Sequence, residues 1–261
     1  MKKTLIALAV AASAVASGSA MAAWTPDFEG NGEVNLGGTL TPEAKGGVWE
    51  AQVGLGNQGL NGSIDKGSNS ASINVSESIP VIGIRTKSNT AFVGQIKGMA
   101  PEIDYKGAVA LDTFEQSQTT LTLDVKNAAG EKIGTMTAPF YGVGVISWKG
   151  TDGVGHATNA YSNGVSKFFF GGLPNNEAKV SPQSADLAKG LISDIADKFD
   201  AQGAVISGVD WVTGADVNTT YSGYYAGGIM KNSAIKIQLE QPAQSGAIEW
   251  KASLPITVSY K

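Results

Sequence analysis

The stretch IEWKASLPITVSYK, residues 248–261, has the most regular pattern in the chain. Every second residue from 248 to 260 is apolar, and most residues between them are charged or hydroxylated. Because side chains alternate across a β-strand, the pattern predicts a strand with one face against a core. Pro255 cannot donate a backbone hydrogen bond, so we expect one edge of this strand to be incompletely paired. The apolar residues are Ile248, Trp250, Ala252, Leu254, Ile256, Val258 and Tyr260.

Shorter segments elsewhere alternate in the same way, and polar turn pairs such as Asn61-Gly62 and Asn163-Gly164 lie between them. Many short strands joined by such turns are typical of an antiparallel sandwich or barrel. The chain has no cysteine, so its stability has to come from a packed core rather than from disulfides. We therefore predict an all-β fold. The segments are WEAQVGL (49–55), SINVS (72–76), TLTLDVK (120–126) and AIKIQLE (234–240).

One segment has helical periodicity instead. Ser181 and Pro182 favour the start of a helix, and large apolar residues then recur at every fourth position. The pattern predicts a single amphipathic helix that continues to residue 199. Two interpretations are open: the helix closes one end of a sandwich, or it belongs to an inserted functional subdomain. The apolar residues are Leu187, Leu191, Ile195 and Phe199.

The first 22 residues have the order of a secretory signal peptide. Lys2 and Lys3 precede an apolar run at 4–16, and a stretch of small residues follows. We expect this segment to be removed on export. No later run approaches the roughly 20 apolar residues of a membrane-spanning helix. The net charge of −4 and the lack of a basic patch also argue against a nucleic-acid partner.

The stretch DFEGNGEVNLGG, residues 27–38, places glycines among the large side chains of its apolar face. Glycine weakens a strand interior unless another surface approaches the backbone closely. The segment is therefore predicted to lie in a groove. The residues of this face are Phe28, Gly30, Gly32, Val34 and Leu36.

Signals of catalysis are weak. The glycine-rich motif at 54–59 follows a predicted strand but precedes no helix, so we interpret it as a turn rather than a phosphate site. His156 is the only histidine in a chain without cysteine, which leaves few ligands for zinc or copper. We expect no enzyme activity, no metal site and no cofactor.

Tyr161 and Trp211 lie among Ser, Asn, Asp and Gly residues, which favours exposure of their rings. Exposed aromatic faces bind the apolar faces of sugar rings, while nearby polar groups bind the hydroxyls. Partial burial of both rings is the alternative interpretation.

The chain resembles a chaperone/usher fimbrial subunit, and more closely the major adhesive subunit of the K-88 (F-4) class. The resemblance covers nearly the whole chain. It is carried by the signal MKKTLIALAVAASA, the start WTPDFEGNGEVNLGGTLT, the segments VWEAQVGLG, KNAAGEKIG and FFFGGL, and the ending IEWKASLPITVSYK.

The resemblance implies an incomplete immunoglobulin-like β-sandwich that a neighbouring subunit completes by donor-strand exchange. Residues 23–40 would be the donor strand, and residues 41–261 the pilin domain. A receptor-binding lobe would be inserted at about 150–225, with one or two short helices. The C-terminal strand borders the groove in this scheme, which makes it the docking edge for a periplasmic chaperone. The docking residues would be Leu254, Ile256, Val258 and Tyr260.

The resemblance also implies that the lobe binds host-cell glycans. The sugar-stacking aromatic of the family falls near Tyr161, and the basic pair of the family is reduced here to Ser166 and Lys167. With Asn163 and Trp211 these residues form the predicted glycan site. Because the basic pair of the family is reduced here, the sequence leaves the sugar unidentified.

The implied partners are neighbouring fimbrial subunits, a periplasmic chaperone, an outer-membrane usher and a host glycoconjugate. The implied location is the surface fimbrium, reached through the periplasm. Two other functions stay open at this point. The chain could be a minor structural subunit without receptor binding, or a freestanding secreted carbohydrate-binding sandwich.

Overall fold

The computed structural model describes residues 47–57, 59–95 and 99–261. The predicted signal peptide, residues 1–22, and the predicted donor strand, residues 23–40, lie outside these ranges. The same holds for the five groove-fitting residues Phe28, Gly30, Gly32, Val34 and Leu36.

The described residues form twelve β-strands, one α-helix and two short 3₁₀ turns, at Leu111–Thr113 and Glu177–Lys179. This composition confirms the predicted all-β fold with a short helix. The elements are β1 (Trp49–Val53), β2 (Ser70–Asn74), β3 (Ile79–Thr86), β4 (Phe92–Val93), β5 (Pro101–Asp104), β6 (Gln118–Lys126), β7 (Lys132–Lys149), β8 (Gly155–Ala160), α1 (Ser184–Leu191), β9 (Ile206–Asp210), β10 (Thr220–Ile229), β11 (Ala234–Leu239) and β12 (Thr257–Tyr260).

The longest strand, β7, organises the sheet. Its first half pairs with β6 on one side and with β11 on the other, and β2 follows β11. Its second half pairs with β8 and β10, and β3 and β1 follow β10. All these pairings are antiparallel, whereas β9 adds to β8 in parallel and β12 forms a separate pair with β5. One continuous strand therefore joins two groups of strands.

A buried aromatic cluster fills the main core. Trp49 of β1 makes edge contacts with Phe168 and Phe169, at ring-centroid distances of 5.0 and 5.4 Å. The hydroxyls of Tyr105 and Tyr225 share a hydrogen bond of 2.7 Å within the same core. These contacts attach the segment around residue 168 to the sandwich, and with it one side of the region at 150–225.

The helix is shorter than predicted. It ends at Leu191, because Ile192 has the extended angles φ −136° and ψ 106°. The chain continues in short turns such as Ile195 N–H to Ile192 C=O, 3.2 Å. Arg85 donates to the carbonyl of Asp194, a group that a continued helix would have used itself. The predicted apolar spacing still holds in these turns, since Leu191 and Ile195 are both buried against β7 and β10.

Among the described residues, no helix is long and apolar enough to cross a membrane.

Candidate functional site

The C-terminal segment forms less of a strand than its sequence predicts. Only β12 has a regular ladder, in which Val258 pairs with Ile103 and Tyr260 with Pro101. Further back, Lys251 makes a single two-way bridge with Lys126 at 2.9 Å. Between these points no backbone hydrogen bond joins residues 252–256 to another described residue. Pro255 lies in this gap, as its missing N–H predicts.

The alternation within this segment is nevertheless maintained. Trp250, Ala252, Leu254 and Ile256 are half-buried, and the residues between them are exposed. The half-buried side chains line an open cavity of about 1000 Å³. The docking residues predicted from the sequence thus divide into two pairs: Leu254 and Ile256 line the cavity, and Val258 and Tyr260 belong to the β12–β5 ladder.

This cavity, the C-terminal groove, is a trough with apolar walls. Its lining includes residues 53–57 and 60–64 from one part of the chain and most of residues 246–256 from the C-terminal segment. Its rim holds the most exposed large apolar side chain of the described residues, Leu55, together with Val53 at 61% exposure. Side chains of β2, β3, β6, β7, β10 and β11 also line it, among them Ile73, Ile79, Leu121, Met136, Ile229 and Ile235.

The shape and chemistry of the groove suit an extended apolar segment. An extended chain with apolar side chains at alternate positions can fill such a trough while its backbone pairs with a free strand edge. The unbonded backbone at 252–256 is such an edge. The groove is therefore suited to the addition of a strand.

A second cluster forms at the far end of β8 and β9. Tyr161 follows β8 and Trp211 follows β9, and parallel strands end at the same sheet edge. The Tyr161 N–H donates to the carbonyl of Asp210 at 3.1 Å. Lys167 Nζ lies 3.4 Å from the centroid of the Trp211 ring and also donates to Asn163 Oδ1. Four of the five residues predicted for glycan binding are thus brought together.

Ser166, the fifth residue, lies on the turn beside this aromatic cluster. Its backbone has φ +65°, and its N–H donates to Glu102 Oε1 at 2.8 Å. The carboxylate therefore fixes the turn that carries Lys167. Sequence reasoning missed Glu102, because it lies on β5, and no local pattern predicts that β5 approaches residue 166.

Burial raises the pKa of the Tyr161 hydroxyl, and the charges of Glu177 and Asp210 raise it further. This hydroxyl therefore stays protonated at neutral pH and can donate a hydrogen bond. Trp211 is 38% exposed, with the Lys167 ammonium over its ring. The cluster therefore contains the Trp211 ring, which Lys167 covers, the half-buried phenol of Tyr161 and several hydrogen-bonding groups.

The family model for fimbrial major and minor subunits, Fimbrial_K88, matches residues 1–261. The chain belongs to this fimbrial family. The K88 fimbrial protein AC of Escherichia coli is 33% identical to it, and the K88 fimbrial protein AB 32%, in both cases over the full length of both chains. The F41 fimbrial protein of Escherichia coli is 27% identical over the same extent. The resemblance to the K-88 class is thereby confirmed.

In this K88-family chain the described residues hold no group of three or more His, Cys, Asp or Glu side chains that could bind a metal ion. His156 packs its ring flat on Trp148, with centroids 5.0 Å apart and planes 14° from parallel. His156 lies on β8 opposite Trp148 of β7, and its side chain is exposed.

Proposed function

We propose that this chain is a fimbrial subunit that polymerises by donor-strand complementation. Its C-terminal groove accepts an extended segment, and residues 23–40 are the segment that it donates to a neighbouring copy. The observation that carries the proposal is the apolar trough of about 1000 Å³ beside the unbonded backbone of residues 252–256. Membership in the fimbrial family supports it.

The chemistry of the proposed donor matches that of the groove. Phe28, Val34 and Leu36 alternate with polar residues, as an extended chain in an apolar trough requires. Burial of each large side chain stabilises the complex by about 1.5–3 kcal/mol, and each added ladder hydrogen bond by about 0.5–1.5 kcal/mol. Gly30 and Gly32 would pass where the walls leave no room for a side chain.

The same edge is the proposed docking site for a periplasmic chaperone, which would cover the groove before the neighbouring subunit does. Among the described residues β12 pairs with β5 alone, which leaves its other edge for an added strand in this proposal. The half-buried Leu254 and Ile256 would contact the chaperone's apolar side chains. An outer-membrane usher and a location in the surface fimbrium complete the assignment.

Deletion of residues 23–40 tests the polymerisation. The deleted protein should stay soluble and monomeric when co-expressed with its chaperone, and it should bind a peptide of residues 27–38. A peptide with the Val34→Asp change is the matched control and should bind at least tenfold more weakly, because a charge enters an apolar pocket. Fibres from the deletion variant, or equal binding of both peptides, would contradict the proposal.

We further propose that the aromatic cluster binds a host glycan. A sugar ring would stack on Tyr161, and Asn163, Ser166 and Lys167 would bind its hydroxyls. Each site of this size would bind weakly, so adhesion would depend on the many copies in a fibre. A minor structural subunit would share the groove but lack this binding, whereas a freestanding sandwich would share neither the groove nor the polymer.

A glycan array separates these functions. It should be probed with wild-type fibres, with Tyr161→Ala fibres and with a monomer complemented by the donor peptide. The aromatic-cluster proposal expects binding by wild-type fibres, weak binding by the monomer and a loss in the variant. Fibres that bind no glycan would identify a structural subunit.

A further inference from the structure

The loop SNGVSK, residues 162–167, carries an Asn-Gly pair on the surface of the protein. The Asn163 side chain is exposed. The N–H of Gly164 donates to no backbone carbonyl of the described residues, and a Cβ atom at position 164 would meet nothing within 4 Å. The peptide group between the two residues is therefore accessible to water and has room to rotate, and glycine adds backbone freedom that other residues lack.

This arrangement permits a reaction between neighbouring groups of the chain. The backbone nitrogen of Gly164 can attack the side-chain amide carbon of Asn163, because closure of a five-membered ring needs only rotation about the bonds between them. A side chain on the residue after Asn163 would hinder this approach, and glycine has none. On the side of the nucleophile the loop thus provides an amide without a described backbone partner and an unhindered path to the carbon.

A fixed cation activates the carbon that would be attacked. Lys167 Nζ donates a hydrogen bond to Asn163 Oδ1. A cation at a carbonyl oxygen withdraws electron density from the carbon, and it stabilises the negative charge that develops on the oxygen during attack. The ammonium is held in this place because it also lies 3.4 Å from the centroid of the Trp211 ring. The fold therefore positions the group that polarises the Asn163 amide.

Hydrogen bonds hold the loop on both sides of the Asn-Gly pair. Before the pair, the Ser162 N–H donates to the carbonyl of Pro174 at 2.9 Å. After it, the Ser166 N–H donates to Glu102 Oε1 at 2.8 Å. The N–H groups of residues 163–165, by contrast, donate to no described carbonyl. The two ends, and with them the cation, are therefore held in place while the reacting peptide between them can rotate.

Another Asn-Gly pair within the described residues, Asn61-Gly62, provides an internal comparison. Asn61 is also exposed, but a Cβ atom on Gly62 would lie 2.8 Å from Ile73 Cγ1, so its glycine is confined. The hydrogen bonds that lysine and arginine side chains make among the described residues all lie elsewhere. Of these two pairs, only the one at 163–164 combines an unconfined glycine with a cation on the asparagine.

We propose that Asn163 is a site of spontaneous deamidation and that Lys167 accelerates the ring closure. The Gly164 nitrogen loses its proton to hydroxide and forms a bond to Asn163 Cγ. The Cγ–Nδ2 bond breaks, and ammonia leaves with a proton from water, which restores the hydroxide. Water then opens the ring at either carbonyl carbon and leaves aspartate or isoaspartate at position 163. Lys167 keeps its proton throughout.

The product differs from the original chain in charge and in backbone length. A neutral amide becomes a carboxylate, so the surface gains a negative charge beside the Lys167 ammonium. In the isoaspartate form the main chain passes through the side-chain carbon and is longer by one bond, within a loop whose ends are held. Older protein should therefore separate from new protein on an ion-exchange column. The proposal depends neither on donor-strand assembly nor on glycan binding.

Peptide mapping by mass spectrometry measures the reaction in the full-length chain after storage at pH 8. An isoaspartyl methyltransferase assay identifies the isoaspartate product. The peptide that contains Asn163 should gain about one mass unit, and it should convert about threefold faster or more than the peptide that contains Asn61. Equal conversion of the two peptides, or faster conversion at Asn61, would overturn the proposal.

Three variants separate the roles of the cation and the glycine. Lys167→Met should slow conversion of Asn163 by about threefold to tenfold, the range for one hydrogen bond to a transition state at an exposed site. Lys66→Met, which changes an exposed lysine in another turn, is the matched control and should leave the rate unchanged. Gly164→Ala has room for its methyl group, so it should slow the reaction without lowering the melting temperature. Unchanged or faster conversion in Lys167→Met would refute the proposal.

Discussion

The ammonium of Lys167 lies 3.4 Å from the centroid of the Trp211 ring, and the same ammonium donates to Asn163. One cation thus connects two residues that belong to different loops. The contact orders the loop at 163–167 against the end of β9, and it covers a ring that a sugar could otherwise use.

The energy of this contact can be measured with a double-mutant cycle. Lys167→Met and Trp211→Leu, singly and together, should give a coupling of about 0.5–1 kcal/mol in the free energy of unfolding. This range is the one expected for a partly exposed cation–π pair. Urea titration of the four proteins measures it, and a coupling indistinguishable from zero would show that the contact does not order the loop.

Filling the C-terminal groove should block assembly without unfolding the subunit. Ala71 of β2 lines the groove, whereas Ser72 is exposed and lies on the other face of the strand. Ala71→Trp should therefore abolish uptake of the 27–38 peptide, and Ser72→Trp should leave it unchanged. Fluorescence anisotropy of a labelled peptide measures both. Normal uptake by the Ala71→Trp protein would contradict the assignment of the groove as the acceptor site.

The buried tyrosine pair should respond unequally to loss of each hydroxyl. Tyr225→Phe leaves the Tyr105 hydroxyl without its partner, at a cost of about 1–3 kcal/mol. Tyr105→Phe should cost less, because Tyr225 still donates to the carbonyl of Gly172 at 3.2 Å. Chemical denaturation at pH 7 compares the two variants. Equal losses would mean that the Gly172 bond does not compensate.

The same pair makes the protein sensitive to alkali. Burial raises the pKa of both hydroxyls above the ordinary value of 10.0. Above that pH the unfolded chain releases these protons more readily than the folded one, so stability should fall as the pH rises beyond about 10. Melting temperatures between pH 8 and 11 measure the effect, and Tyr105→Phe should reduce the slope.

An ion-pair network should give a separate loss of stability in acid. Arg85 contacts Glu50 at 2.6 Å and Asp194 at 3.2 Å, and Lys198 contacts Glu50 at 2.9 Å. Hydrogen bonds from Lys198 and Arg85 lower the pKa of the Glu50 carboxyl below its ordinary value of 4.5. The stabilisation from ionised Glu50 is complete above pH 4.5, and it is lost as the pH falls through the lowered pKa of the folded state.

Glu50→Gln should remove this acid dependence and cost about 0.5–1 kcal/mol at pH 7, the range for partly exposed pairs. The difference between the unfolding free energies at pH 7 and pH 3 should therefore be smaller in the variant than in the wild type. Asp152→Asn, a change in an exposed turn, is the control. An unaltered acid slope in Glu50→Gln would assign the sensitivity to other carboxylates.

Local sequence patterns predict which side chains of a segment are buried, but not how far its strand extends. The alternation from Trp250 to Ile256 fixes which side chains face the core, and it holds although the backbone is mostly unpaired there. The extent of the strand depends on a partner for its edge, and that information lies in another part of the chain. The prediction of a strand over the whole segment failed for this reason.

The helix illustrates the same limit. Spacing at every fourth residue correctly predicts that Leu191 and Ile195 are buried, but short turns preserve nearly the same spacing. Beyond Leu191 the carbonyl of Asp194 accepts from Arg85, a residue of a strand about a hundred positions earlier that local spacing cannot reveal. Composition likewise selected Tyr161 and Trp211 one at a time, and only the parallel pairing of β8 with β9 brings them to one edge.

The long strand β7 has a mechanical consequence. Met136 near its beginning lines the C-terminal groove, and Trp148 near its end stacks on His156 of β8. At about 3.3 Å per residue, one unbroken backbone spans roughly 40 Å between these points. In the proposed polymer, a pull on a strand bound in the groove would therefore be carried along β7 as tension in a single covalent chain. Hydrogen-bonded ladders flank β7 on both sides, so sliding this strand out of the sheet would require many of these bonds to break together in shear.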